Sequence, residues 1–253
     1  MAVVNSTAIT VRDEVMGFEL GWVTSTGEQA RLPLADVWGL RFEDAAPVRR
    51  FVSYRGQRHL SGRWWSATIA RHVGYESWLE RDHVLALDFD PDVVGIASQP
   101  FWLFWPKESG GRFGSHAPDY FVRRADGSAV VIDCRPEHRQ CRPRDVVAFE
   151  MTRRACEMAG WDYRLLGAID PVVTRNLRWL AGYRHPRYRV AEIAERLRGV
   201  VGEPVALINA AHAAGDPIAT LPVLYHLLWR HELSADLTVP LRTGTPVALA
   251  GCQ

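Results

Sequence analysis

Apolar and polar positions alternate differently in successive stretches of this 253-residue chain. Residues 1–70 hold short apolar pieces, "AITV", "FELGWV", "ARLPL", "VWGLRF" and "RRFVSY", broken by Gly- and Asp-bearing turns. That rhythm predicts a β-rich N-terminal part. After "GRWW" comes the first helical period, "YESWLERDHVLALDF", with Trp78, Leu79, Val84, Leu85 and Leu87 as its apolar positions. "DPDVV" ends it. "VVGIA" and "FWLFW" read as strands on either side of Gln99-Pro100. Two more strands lie in "HAPDYFVRRADGSAVVIDCRP", from His116 to Pro136. "PRDVVAFEMTRRACEMAG" is a helix with Asp145 as its expected cap and Gly160 as its stop. "WDYRLLGA" is a strand, and "DPVVTRNLRWLAGY" a helix capped by Asp170 with Pro171 in its first turn. From residue 75 the elements run helix, four strands, helix, strand, helix, which predicts an α/β fold with helices packed on a mixed sheet.

Beyond His185 the pattern turns helical. "VAEIAERLRGVV", "PVALINAAHAAG" and "TLPVLYHLLWRHEL" are three helices, followed by "DLTVPL" and "TPVALA" around Arg242-Thr243-Gly244. Three helices and a small hairpin predict a winged-helix-like domain. The expected division is therefore residues 1–184, with a core at 75–184, and residues 185–253. Leu224, Leu227 and Leu228 are expected in the core of the second part.

The hairpin from His116 to Pro136 carries candidate chemistry, and its loop length decides the geometry. A two-residue turn at Asp126-Gly127 would put Asp119 and Asp133 on opposite faces. A three-residue loop, Ala125-Asp126-Gly127, with Gly127 left-handed, pairs Arg124 with Ser128 and sets Asp119 across from Asp133. Arg135 then shares that face, because side chains alternate along a strand. Two opposed carboxylates repel, and a hard divalent cation would relieve them. The plainer alternative is a surface hairpin with solvated acids. Against it, "SAVVID" is apolar on both faces, as in a central strand, where a carboxylate needs a partner. A third carboxylate would come from the first helix. Ser77-Trp78-Leu79-Glu80 fits a capping box, which gives Glu80 a structural role, and Glu76 is its rival.

Composition narrows this picture only slightly. The formal net charge is +1, so any nucleic-acid surface rests on local clustering. Lys107 is the only lysine, against 29 arginines. The four cysteines, Cys134, Cys141, Cys156 and Cys252, form no evident framework, and the start "MAVVNSTAITVRDEV" carries no signal pattern. No run approaches a membrane span. A reducing, cytoplasmic setting is expected.

The motifs resemble a known family. "APDY" followed by "VIDCR" looks like the PD-(D/E)xK signature of restriction-endonuclease-like nucleases. "ESWLERDHVLALDFDPDVVGIASQPF", "APDYFV", "VVIDCRP" and "FEMTRRACEMAGWDYRLL" with "PVVTRNLRWL" are together similar to TnsA-like endonuclease subunits of heteromeric transposases, in order over roughly residues 75–183. The resemblance implies a restriction-endonuclease-like core. It implies metal-binding roles for Glu80, Asp119 and Asp133, with the peptide carbonyl of Cys134, and Mg²⁺ or Mn²⁺ as the ion. It selects Glu80 over Glu76. It places the motif lysine at Arg135, a departure: arginine keeps the charge but cannot be deprotonated. In the family, this subunit cuts the non-transferred strand of double-stranded DNA at transposon ends, beside a DDE-type transposase subunit and under an AAA+ ATPase regulator. A catalytically weakened assembly subunit and a standalone repair or restriction nuclease are the competing expectations.

Two basic stretches remain. "RNLRWLAGYRHPRYR" offers Arg175, Arg178, Arg184, Arg187 and Arg189 with interleaved Trp179, Tyr183 and Tyr188, a pattern suited to phosphates and stacking. "RPEHRQCRPR" is basic too but carries Glu137, and reads equally as a mobile loop. Trp229, Arg230, His231 and Arg242 would face DNA or, as the family implies, a protein partner.

Overall fold

The structure, a computed structural model, describes residues 17–49, 61–106 and 113–251. The expected strand "AITV" and the part of "RRFVSY" from Arg50 onward lie outside these residues. The strands are β1 (Glu19–Val23), β2 (Gln29–Pro33), β3 (Gly62–Ser66), β4 (Arg71–Tyr75), β5 (Val93–Ser98), β6 (Phe101–Pro106), β7 (Phe113–His116), β8 (Tyr120–Arg124), β9 (Ala129–Cys134), β10 (Asp162–Leu166), β11 (Val205–Ala206), β12 (Leu233–Ser234) and β13 (Pro246–Leu249). The α-helices are α1 (Leu34–Val37), α2 (Trp78–Phe89), α3 (Glu137–Gln140), α4 (Pro143–Ala159), α5 (Pro171–Leu180), α6 (Ala191–Val200), α7 (Leu207–Ala214) and α8 (Pro217–Trp229). Among the described residues no helix is long and apolar enough to cross a membrane.

The chain forms two compact units. The first holds residues 1–63, 73–80 and 93–168; the second holds 64–72, 81–92 and 169–253. This division differs from the expected boundary near residue 184. The reason is packing: Leu177 and Leu180 of α5 and Leu85 of α2 are buried with Leu197, Leu224 and Leu227 in the core of the second unit.

The first unit contains two four-stranded sheets, ordered β2-β1-β6-β7 and β10-β9-β8-β5. From α2 onward the expected helices and strands occur in order, with β7 and α3 in addition: α2, β5, β6, β7, β8, β9, α3, α4, β10, α5, of which β5, β8, β9 and β10 build the second sheet. β6 and β7 leave it for the other sheet. β5, β8 and β9 run antiparallel, whereas β10 is parallel to β9. A parallel return needs a crossover, and α4 supplies it. Pro143 sits at its first position and left-handed Gly160 closes it at φ 70°. Its cap is not Asp145: Arg142 is the N-cap residue and no side chain caps the turn. Asp145 lies within the first turn, where a carboxylate still favours the helix dipole.

β9 is buried at all six of its positions. Phe121 and Val131 face one core with Phe42, Phe101 and Trp161, whose rings meet largely edge to face. Fully burying such side chains contributes about 1.5–3 kcal/mol each. Phe42 arrives there from a short 3₁₀ turn, Phe42–Asp44, and Leu34 and Val37 from α1. "VWGLRF" is thus the link from the last residue of α1 to the first of the 3₁₀ turn, not a strand. Val37 and Phe42 are buried in one core although five residues apart, a spacing that a strand would put on opposite faces, while Trp38 and Leu40 between them are exposed.

In the second unit α6, β11, α7, α8, β12 and β13 follow in order, with the three strands arranged β11-β13-β12. "TPVALA" forms β13 as expected. "DLTVPL" is not a strand; β12 lies just before it, at Leu233–Ser234. The side-chain amide of Asn176 instead holds this segment, donating to the carbonyls of Leu237 and Val239.

Candidate active site at the end of the central strand pair

The hairpin loop has three residues. Gly127 is left-handed at φ 86°, its N–H donates to the Arg124 carbonyl, and the Arg124 N–H donates to Ser128. Tyr120 pairs with Ile132, so the next position along the ladder aligns Asp119 with Asp133. There the regular ladder stops. The Asp119 N–H donates to the Ile132 carbonyl, and Asp119 Oδ2 accepts the Cys134 N–H at 2.7 Å. In an extended strand the N–H and C=O of one residue leave the same edge, so the Cys134 carbonyl is directed to the side that Asp119 occupies.

The start of α2 is tied to the same place. Tyr120 Oη donates to the carbonyls of Gly74 and Glu80 at 3.2 Å. Ser77 and Glu80 form the capping box: the Glu80 N–H donates to Ser77 Oγ, while the Glu80 carboxylate accepts the Ser77 hydroxyl and the Glu76 N–H. Glu80 is nevertheless on the cleft wall and only 9% exposed. Glu76 pairs with Arg49 at 3.1 Å.

These placements are electrostatically costly. Burial, then the neighbouring charges of Glu80 and Asp133, push the Asp119 carboxyl well above the ordinary carboxylate range. Burial likewise raises the Glu80 carboxyl, against the hydrogen bonds it accepts. A cation would reverse both shifts.

Asp133 is placed differently. His116 Nε2 lies 2.8 Å from its Oδ1, and Tyr163 Oη donates to its Oδ2 at 2.8 Å. Burial, together with the Asp133 charge, raises the Tyr163 hydroxyl, so it stays a donor. Asp133 is 2% exposed and is not among the side chains lining the cleft. Glu80 and Asp119 share the cleft wall, whereas Asp133, a charge neighbour of Asp119, ties β9 to β7 and β10 through side chains. Sequence reasoning missed His116 and Tyr163. Tyr163 reaches Asp133 only through the parallel β9–β10 register, across 30 residues of chain.

A cleft of about 910 Å³ opens over this strand end. Glu80, Asp119, Cys134, Arg135 and His116 line it. Gly114 lets a strand pass over Trp105: a Cβ there would stand 2.3 Å from the indole ring. Arg135 Nε lies 3.6 Å from Asp145 Oδ2, beyond hydrogen-bond length, and its guanidinium sits 5.8 Å from the centre of the Phe149 ring. Gln99 was also missed. It is left-handed at φ 47°, 1% exposed, and its N–H holds the Asp119 carbonyl, while its own amide group has no partner. Such strain concentrates at functional positions.

A metal can be matched to these donors. Among the described residues no three His, Cys, Asp or Glu side chains gather into a chelating set. Glu80, Asp119 and the Cys134 carbonyl remain, all oxygen donors. Magnesium takes one or two carboxylates and keeps several waters, so this set suits it; zinc prefers nitrogen and sulfur.

The arginines of residues 175–189, all in the second unit, are mostly committed internally. Arg178 makes a two-pronged pair with Asp82 at 2.7 and 2.9 Å. Arg184 donates to the carbonyls of Trp65 and Ala181 and lies over the Trp64 ring. Arg189 pairs with Glu232. Arg187 donates to Tyr188 Oη, and Arg175 is exposed. Trp229 is buried, and the His231 ring is hydrogen-bonded to the Phe89 carbonyl. The band expected to meet phosphates is thus largely a set of structural ties.

No family model matches the chain, and no curated protein matches it in sequence.

Proposed function

We propose that the chain is the metal-dependent endonuclease subunit of a heteromeric transposase, hydrolysing a phosphodiester of the non-transferred strand at transposon ends. The observation that carries the nuclease reading is the convergence of Glu80, Asp119 and Arg135 on one cleft at the end of β8 and β9. The β5-β8-β9-β10 sheet with its α4 crossover fits a restriction-endonuclease-like core. The α6-β11-α7-α8-β12-β13 succession fits a winged helix. The transposase setting, with a DDE-type partner and an AAA+ regulator, rests on the sequence resemblance.

Glu80 and Asp119 would hold the ion, with the Cys134 carbonyl beside them. When bound, a divalent ion supplies Lewis-acid stabilisation of a phosphate and activation of water. The remaining tasks fall to this chain. Ser77 and the Glu76 N–H fix the Glu80 carboxylate. The Cys134 N–H fixes that of Asp119. Arg135 offers a permanent positive charge to a phosphate oxygen and cannot serve as a base. His116, Asp133 and Tyr163 hold the strand end that presents Cys134 and Arg135.

The test is cleavage of transposon-end DNA with partner subunits assembled and Mg²⁺ or Mn²⁺ present. Asp119→Ala should lower the rate about 10³-fold, the scale of losing one preorganised electrostatic group. Equal cleavage by parent and variant would sink the nuclease assignment. A second reading, an assembly subunit weakened in catalysis, is favoured by one feature: Arg135 stands where a lysine is expected. An Arg135→Lys variant that cuts where the parent does not would establish it. Cleavage without any partner would point to a standalone nuclease instead.

A further inference from the structure

The basic segment "RPEHRQCRPR" has no place in that reading, yet the structure gives it a defined shape. It begins at Arg135, forms α3, and ends in the first turn of α4. Two anchors fix it. The Glu137 carboxylate accepts the Ala168 N–H at 2.8 Å, and Gln140 Nε2 donates to the Arg135 carbonyl at 2.9 Å. The mobile-loop alternative does not fit these bonds.

The anchoring brings Arg135, Arg142 and Arg144 to one cleft wall. Arg142 and Arg144 are exposed. Among the described residues Arg135 makes one ion pair, with Asp145, too long for a hydrogen bond. By contrast Arg153 and Arg154, farther along the same helix, are paired with Glu150. Two apolar side chains about half exposed, Phe113 and Val147, border the same cleft. Arg142 and Arg144, which make no ion pair among the described residues, stand beside exposed apolar groups, and that combination suits a chain of alternating phosphates and sugar or base faces.

We propose that Arg142 and Arg144 form a backbone track for a DNA strand, holding phosphates that flank the one at Arg135. This rests on the nuclease reading and extends it from the scissile phosphate to its neighbours. Neither arginine meets the reacting atoms; both are positioning residues. Their contribution is electrostatic and independent of sequence, so it follows the counterion law: each neutralised phosphate adds about 0.9 to the slope of log K against log salt.

The experiment uses the full chain and a fluorescent transposon-end duplex, with Ca²⁺ replacing Mg²⁺ so that binding is read by anisotropy without cleavage. Arg142→Ala/Arg144→Ala should weaken binding about tenfold at low salt and flatten the salt slope by about 2. Arg142→Lys/Arg144→Lys should restore most of both. Arg153→Ala/Arg154→Ala should leave the slope unchanged. An unaltered slope in the first double variant, or an equal change in the Arg153/Arg154 control, would overturn the track. Asp119→Ala separates this from the parent reading, since it should abolish cleavage while the arginine-dependent binding persists. Intact cleavage in Asp119→Ala with a lowered slope in the arginine variant would remove the nuclease assignment and leave the DNA track standing.

Discussion

Two carboxylates, one in each unit, have opposite surroundings. Asp88 in the second unit accepts four hydrogen bonds, from Trp64 Nε1, Ser66 Oγ and the N–H groups of Ala67 and Thr68. Asp119 in the first accepts one, from Cys134, and has two other acids as neighbours. The first arrangement is what a structural carboxylate needs: every lone pair is occupied, and the hairpin turn after β3 is fixed by it. The second leaves oxygen atoms free beside like charge. A fold that can build the Asp88 site has the means to satisfy an acid, and the incomplete shell of Asp119 supports the ion-binding role proposed for it. Asp133, with two partners, stands between the two cases.

Substitutions that empty these shells should separate the two kinds. Asp88→Ala leaves four donors without their acceptor, in a region closed to water, and should cost about 3–5 kcal/mol. A urea melt reads this directly, and a loss under about 1 kcal/mol would break the contrast. Asp119→Asn should move stability less and in the other direction. Its carboxyl is raised in the folded state, so the native protein binds that proton more tightly than the unfolded chain. The stability this confers is present below the unfolded value, about 3.9, and is lost as pH rises through the folded value. Melts at a series of pH values should therefore show the parent weakening with rising pH over that window, and Asp119→Asn weakening less. Parallel curves would mean that Asp119 is as well satisfied as Asp88.

Much of the site's frame was legible because it is local. Ala125-Asp126-Gly127 between alternating strands allowed the three-residue loop, and the capping spacing from Ser77 to Glu80 is written in four residues. Asp170 and Gly160 likewise act on their own helices. What escaped is non-local or weakly patterned. β7 is four residues, "FGSH", with no alternation to reveal it. "GRWW" begins β3, a strand hidden by its place just ahead of the helical period. Asp145 has the residue type of a cap, yet the chain turns helical two residues earlier, at Pro143. The two partners of Asp133 come from β7 and β10, and pairing between distant strands leaves no mark in a local period. The basic stretch at residues 175–189 shows the reverse failure: its composition was plain, but composition does not show which arginines the fold has already used.

The parallel pairing of β10 with β9 also sets a sequence of events in folding. A hairpin such as β8–β9 closes in about 1–10 μs, since its loop is short. β10 can join only after the chain between Cys134 and Asp162 has turned back through α4, and non-local closure of this kind slows folding. Tyr163 reaches Asp133 only at that step. The strand end that carries Cys134 and Arg135 is therefore completed late, and a fragment ending before β10 would contain every expected ligand while lacking the brace that holds them.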